Sequence, residues 1–549
     1  MHFLQGPAPF LHRNCAGCAQ PSRISLLFCL RLCCSQLATK AASMHLFTGR
    51  LTGSFAVKLL LAAALVILGD QLFLATDKEI GALPIATFFL AQIVALMIAR
   101  PAVRRDPRAL FALAIATAMA VGMALKPNPI TFLLFWIAVG VATLLPRTGR
   151  FDDGWRWFQR LVVLGFFAIP APFIDRNHGA RAASQRGWHR PGLLGLLRLL
   201  ALPLAGSAVV VSLFAAANPV IDRLLATFSI PLPDGTTVWR MICWVMLLLV
   251  SWPLLRPRLA RRLFGTFDGS GDWAIPGVST GSVLLSLAAF NLLFAAQNAM
   301  DAAWLWGLVP LPEGVSAAEY VHRGAYPLIA TALFAGLFVL VFLRPGSATA
   351  QNRAIRRLVI AWIAQNLFLV ASSALRTIDY IDAYLLTTLR ISALLWMALV
   401  ATGLFLILWR LLKQHSAAWL LNANLAVAGL LLCVCAFVDL GSIAAQWNVR
   451  HAREIDGDGA KLDLCYASSL GGSSLLPLLE LEQSNAPADL RQRARWVRRD
   501  IMVQLQDEVD NSGGSLLDRW RLAQAWRMLD DKRATPTPTI RDCYGRPYR

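Results

Sequence analysis

Seven side chains could do chemistry inside an apolar environment: Asn291, Asn298, Glu319, Arg323, Gln365, Arg376 and Arg390. Each lies in or beside a long apolar run, where an ionisable or amide group is costly and therefore invites a functional reading. Gln365, Ser372 and Arg376 are spaced seven and four apart, and Asp379 follows three later. At about 100° per residue they share one stripe of a helix. Asn291 and Asn298 repeat the seven-residue spacing, with Asp301 just beyond. Glu319 and Arg323 are four apart, so a helical pair is available to them. One reading is a polar cavity lined by these seven residues, whose arginines would suit an anionic ligand. The other is hydrogen bonding between helices together with ion pairs such as Arg376–Asp379 or Glu319–Arg323.

Other chemical signals are weaker. Gly277-Val-Ser279-Thr-Gly281 fits a nucleophile-elbow pattern, but that pattern needs a strand before it and a helix after it. There is no phosphate-binding glycine loop, no His-Glu-x-x-His and no dinucleotide fingerprint. Cys15-Ala-Gly-Cys18 has metal-ligand spacing without a second pair. No cofactor or metal is expected. The first 43 residues hold five of the ten cysteines, and the apolar run Ile24–Leu32 is broken by Arg31. This stretch is read as an extension upstream of a start at Met44, outside the fold.

The elements that must position the seven residues are membrane helices. Hydrophobic residues make up 57% and charged residues 15% of 549, and mean hydropathy is +0.54. Those figures exclude a disordered chain and a small disulfide scaffold. Runs of helix-spanning length fall near 55–74, 82–99, 109–125, 130–145, 199–217, 237–255, 279–300, 325–343, 358–375, 386–409 and 419–440. The expected fold class is therefore an all-α polytopic membrane protein of about eleven spans. The region 44–194 holds four spans and a basic loop, and 195–445 holds seven.

A further run, 161–174, is short and contains Pro170 and Pro172. If it does not cross, one set of loops carries 23 Lys and Arg and the other set five. If it crosses, the bias becomes 11 against 17. The positive-inside rule selects the first arrangement, with the start cytoplasmic and the end outside. The net charge of +20 is thus read as positive loops. No nucleic-acid partner is expected, because the arginines cluster between apolar runs instead of covering one face.

After Leu440 the apolar residues become periodic. Leu490, Ala494, Val497, Ile501 and Leu505 occupy one helical face, and Ser515 with Asp518 has the spacing of a capping box. Residues 446–549 are read as a soluble helical module containing Cys465 and Cys543. An outside location would let these two bridge.

Several short motifs together resemble a family. They are Ala217-Asn-Pro-Val220, Glu319-Tyr-Val-His-Arg-Gly324, Thr388-Leu-Arg390, Trp447-Asn-Val-Arg450, Leu462-Asp463 with Tyr466, and Trp520 through Trp526. Over residues 200–530 the chain resembles the bacterial membrane family catalogued as domain of unknown function 4173. That resemblance implies a fold and an inner-membrane location, and no activity.

The leading expectation is a non-enzymatic inner-membrane protein whose outward module has a sensory, assembly or envelope-partner role. A transporter for a small, anionic solute is the second, and a membrane enzyme using Glu319 on lipid or glycan the third.

Overall fold

The computed structural model describes residues 55–75, 79–148, 152–169, 234–258, 279–305, 347–456 and 459–529, with scattered positions between them and Cys543. Contacts divide the chain into two units after Ala63. Glu319, Arg323, His322, the 1–43 segment and the Thr535–Thr539 stretch lie outside the described residues. So do most positions of the expected spans at 199–217 and 325–343.

The described residues form helices and no strands. Nine of these helices are long and apolar enough to cross a membrane, and they match nine of the eleven runs. They are α1 (Phe55–Phe73), α2 (Ala82–Ala99), α4 (Pro107–Leu125), α5 (Pro129–Thr148), α7 (Gly235–Leu255), α8 (Thr280–Leu305), α9 (Arg353–Tyr384), α10 (Thr388–Lys413) and α11 (Ala417–Phe437). A single turn, α3 (Pro101–Arg105), joins α2 to α4. The starts are set locally. Proline opens α3, α4 and α5, where its missing N–H costs nothing. Asp106, Ser416, Thr387 and Asn352 cap α4, α11, α10 and α9 through their side chains.

Helices α2, α4 and α5 pack tightly because α4 presents small residues. Ala109, Ala112, Ala116 and Ala120 are buried along it, which allows close backbone approach. Phe89 of α2 meets Phe132, Phe135 and Trp136 of α5 edge to face. A second nest surrounds Trp362 of α9, touched by Phe290 and Phe294 of α8 and by Phe338.

The segment at 161–174 begins earlier than its apolar run. Helix α6 covers Gly154–Phe166, 13 residues, which is shorter than a span requires. It has three faces. Trp157 and Leu164 are buried, Phe158, Val162 and Phe166 are exposed, and Arg156 and Arg160 pair with Asp152. That division suits a helix lying in an interface. Residues 170–174 lie outside the described set.

The C-terminal module follows directly from α11. It comprises α12 (Leu440–Arg450), α13 (Leu464–Ser469), a 3-10 turn at Gly471–Ser474, α14 (Leu475–Gln483), α15 (Ala488–Ser512) and α16 (Leu516–Met528). The face read from the sequence is the one buried in α15, where Leu490, Ala494, Val497, Ile501 and Leu505 all point inward. Gly513, at φ 81°, ends that helix in the left-handed conformation glycine favours. Ser515 Oγ accepts from the Asp518 N–H and caps α16. Arg495 and Arg498 of α15 both bond Glu482 of α14, at 2.6 and 2.8 Å. A disulfide joins Cys465 and Cys543, with Cα atoms 4.8 Å apart.

The module's core is not made by the module alone. Leu385, in the turn between α9 and α10, is buried in the same cluster as Leu475, Leu478, Leu490 and Val497. Its φ of 65° is positive, which is rare for a non-glycine residue and is held only by surrounding contacts. Replacing Leu385 by Ala removes a buried side chain from that cluster. It is expected to destabilise the protein by about 2–5 kcal/mol, measured as a lower Tm of the full chain in detergent.

Candidate functional site

Four of the seven candidate residues meet between α8 and α9. Gln365 Nε2 donates to Asn291 Oδ1 at 2.8 Å, and Asn291 Nδ2 donates to the Leu358 carbonyl of α9 at 3.0 Å. Asn298 Nδ2 donates to the Gln365 carbonyl at 3.1 Å. Arg376 pairs with Asp301 at 3.0 Å, and the aspartate side chain is fully buried. Ser372 Oγ and Gln297 Nε2 also donate to that carboxylate. Arg376 therefore pairs across to α8, and not with Asp379 on its own helix. The α8 stripe and the α9 stripe are complementary, one helix answering the other along about three turns. Two acceptors in this seam, Asn298 Oδ1 and Gln365 Oε1, are buried without a partner among the described residues.

Arg390 stands apart. Its guanidinium donates to the Tyr384 and Leu385 carbonyls and lies over the Tyr380 ring, 4.3 Å from the centroid. It thus holds the end of α9 and the strained turn. The same turn is gripped from the module. Asn448 of α12 accepts from the Leu386 N–H at 2.7 Å and donates to the Leu386 carbonyl at 2.9 Å. Tyr466 Oη accepts from the Thr388 N–H at 2.8 Å. The short motifs Thr388-Leu-Arg390, Trp447-Asn-Val-Arg450 and Tyr466, far apart in sequence, come together here.

A second junction lies at Asp439, between α11 and α12. Its carboxylate takes Lys126 from the end of α4 at 3.0 Å, the Ser473 hydroxyl at 2.8 Å and the Arg521 guanidinium of α16. Arg521 is 5% exposed and also pairs with Asp518 at 3.2 Å. Burial alone would push the Asp439 carboxyl up. The Arg521 bond, the Lys126 charge and the Ser473 bond outweigh it and bring the pKa to about 2. On the neighbouring face the module meets the α1–α2 loop, where a Cβ on Gly81 would collide with the Ser512 carbonyl oxygen. Glu508 on that side is pushed up by burial and by the nearby Asp518 and Glu79 carboxylates.

Ser279, the elbow candidate, follows no strand among the described residues. It caps α8, its Oγ accepting from the Ser282 N–H at 3.1 Å while Ser282 Oγ accepts from the Ser279 N–H at 2.8 Å. Its hydroxyl is therefore a capping group. Among the described residues no cluster of three His, Cys, Asp or Glu could hold a metal ion.

The family comparison bears on these junctions. The family described as domain of unknown function 4153 matches residues 109–481. The chain belongs to the DUF4153 family. The resemblance to domain of unknown function 4173 is corrected by this match. The DUF4153 region runs from α4 through α14, so it takes in the bundle from α4 onward, the 384–390 turn, Asp439 and the first half of the module. No curated protein and no solved structure matches the chain.

The Asp439 junction carries a pH signature. Its folded pKa lies below the unfolded one, so its contribution is complete above about pH 4 and is lost as the pH falls through about 2. The contribution is on the order of 2 kcal/mol. Asp439→Asn should lower stability by roughly 3 kcal/mol at neutral pH, because Arg521 stays buried with only Asp518. It should also flatten the acid-side loss of Tm between pH 5 and pH 2 in a detergent melt. A variant as acid-sensitive as the unmodified chain would contradict this assignment.

Proposed function

We propose that this DUF4153 protein is a multi-pass protein of a bacterial inner membrane, with its start in the cytoplasm and its C-terminal module outside. We infer a non-enzymatic role, in which the bundle holds the module in one orientation toward an envelope partner in sensing or assembly. The observation that carries the reading is the double junction, Leu385 in the module's core and Asp439 salt-bridged to both α4 and α16. A module held this firmly is a presented surface, not a tethered domain. Two further features support the sidedness. The Cys465–Cys543 bridge suits an oxidising compartment. At the bundle end opposite the module stand Arg100, Arg104, Arg105, Arg147, Arg256, Arg353, Arg356 and Arg357, as the positive-inside rule requires of a cytoplasmic face.

A second reading, transport of a small solute, draws on one observation. Among the described residues, Asn298 Oδ1 and Gln365 Oε1 are acceptors without donors in the α8–α9 seam, where a water or a passing donor group would bind. It predicts that Asn298→Leu preserves abundance and abolishes solute accumulation. Unchanged accumulation would dismiss it.

The sidedness is tested by reporters fused after Arg549. Alkaline-phosphatase activity with a dark fluorescent-protein fusion is expected. Fluorescence without phosphatase activity would place the module in the cytoplasm and end the envelope reading.

A further inference from the structure

At the bundle end opposite the module, α2, α5 and α7 bring three arginines together. Arg100 directly follows α2, is buried, and donates through Nη1 to the Thr143 carbonyl of α5. Arg147, one turn along α5, donates through Nη1 to the Pro257 carbonyl just past α7, at 2.6 Å. Arg256 ends α7 and lies within repulsive range of Arg147, which in turn repels Arg100. Burial first, and then the Arg147 charge, hold Arg100 down at about 10, so it is still a cation at neutral pH. Neither Arg100 nor Arg147 has a carboxylate partner among the described residues. The described carboxylates at this end are committed elsewhere. Asp106 caps α4, Asp152 pairs with Arg156 and Arg160, and Asp153 caps α6.

Buried charges are ordinarily paired. Here like charges converge: buried Arg100 and solvent-exposed Arg147 are each met by a single backbone carbonyl, leaving most of their N–H donors without a protein acceptor among the described residues. A second observation falls on the same spot. Thr143, whose carbonyl receives Arg100, is fully buried, and its hydroxyl has no partner among the described residues. Guanidinium forks match the oxygens of a phosphate group two at a time. The level is also suitable, since the ends of α2, α5 and α7 lie where spans meet lipid headgroups.

We propose that Arg100, Arg147 and Arg256, with the Thr143 hydroxyl, form a binding site for a phosphate group at this end of the bundle. The group is either the headgroup phosphate of an anionic phospholipid or free inorganic phosphate. The site does not depend on which compartment this end faces, so it stands or falls separately from the envelope reading.

The test uses the full chain purified in a neutral detergent. It is titrated with phosphatidylglycerol, with phosphatidylcholine and with inorganic phosphate, and retention is read by native mass spectrometry and by thermal shift. The unmodified chain is expected to retain phosphatidylglycerol and not phosphatidylcholine. Arg100→Gln and Arg147→Gln should each weaken retention about tenfold, the loss of one charge-assisted contact. Arg104→Gln, an exposed arginine at the same end, should leave it unchanged. Retention that millimolar phosphate does not displace assigns a lipid headgroup. Displacement, or stabilisation by phosphate alone, assigns the free ion. If Arg100→Gln fails to fold, Arg147→Lys keeps the charge, removes the fork and should still weaken binding. No retention of either probe, or equal loss in Arg104→Gln, would overturn the site.

Discussion

The turn from Tyr384 to Thr388 is the point on which the two halves of the molecule depend. It is a membrane-hairpin turn that does not close on itself. Leu385 takes a positive φ, its side chain enters the module's core, and the next residue is held by both ends of the Asn448 amide. Left exposed to water, such a turn would relax toward a commoner conformation. Held by Asn448, Tyr466 and Arg390, it joins bundle and module into one packed unit. The Asp439 cluster acts at the next corner of the same interface, fixing the angle at which the module leaves α11.

The two ends of the bundle solve opposite electrostatic problems. At the module end, arginine and lysine are answered by carboxylates, namely Asp70 with Arg240, Asp301 with Arg376, and Asp439 with Arg521 and Lys126. At the other end, Arg100 and Arg147 are met by backbone carbonyls instead. A chain under the positive-inside rule must leave cations on one side, and burying Arg100 with no carboxylate partner among the described residues is a state that a bound phosphate would relieve.

How much of this was legible in the sequence follows from the range of each interaction. Helix positions, caps and the buried face of α15 are local, and periodicity and capping spacing reached them. The α8–α9 seam was half legible. The seven-residue spacings located both stripes, yet spacing within one helix cannot name a partner on another, so Arg376 was matched to Asp379 when Asp301 lies opposite. The Leu385 insertion and the Asp439 cluster were not legible. Leu385 is one leucine among many, and nothing local marks a positive φ there. Locally Asp439 only caps α12, and it is the fold that brings Lys126 and Arg521, each more than eighty positions away, to its carboxylate. Asn448 and Tyr466 stood out only as parts of short motifs, whose shared location explains why they occur together.

Bundle and module thus form one cooperative unit through the 384–388 turn. Native-state hydrogen exchange on the full chain tests it most directly, by following the Leu386 and Thr388 amides together with those of α14 and α15 under increasing denaturant. Both Leu386 and Thr388 donate to module side chains, so the account predicts that they open with α14 and α15, at one common free energy. Opening of α14 and α15 at a lower free energy, with Leu386 and Thr388 still protected, would contradict it and make the module a separate domain on a tether.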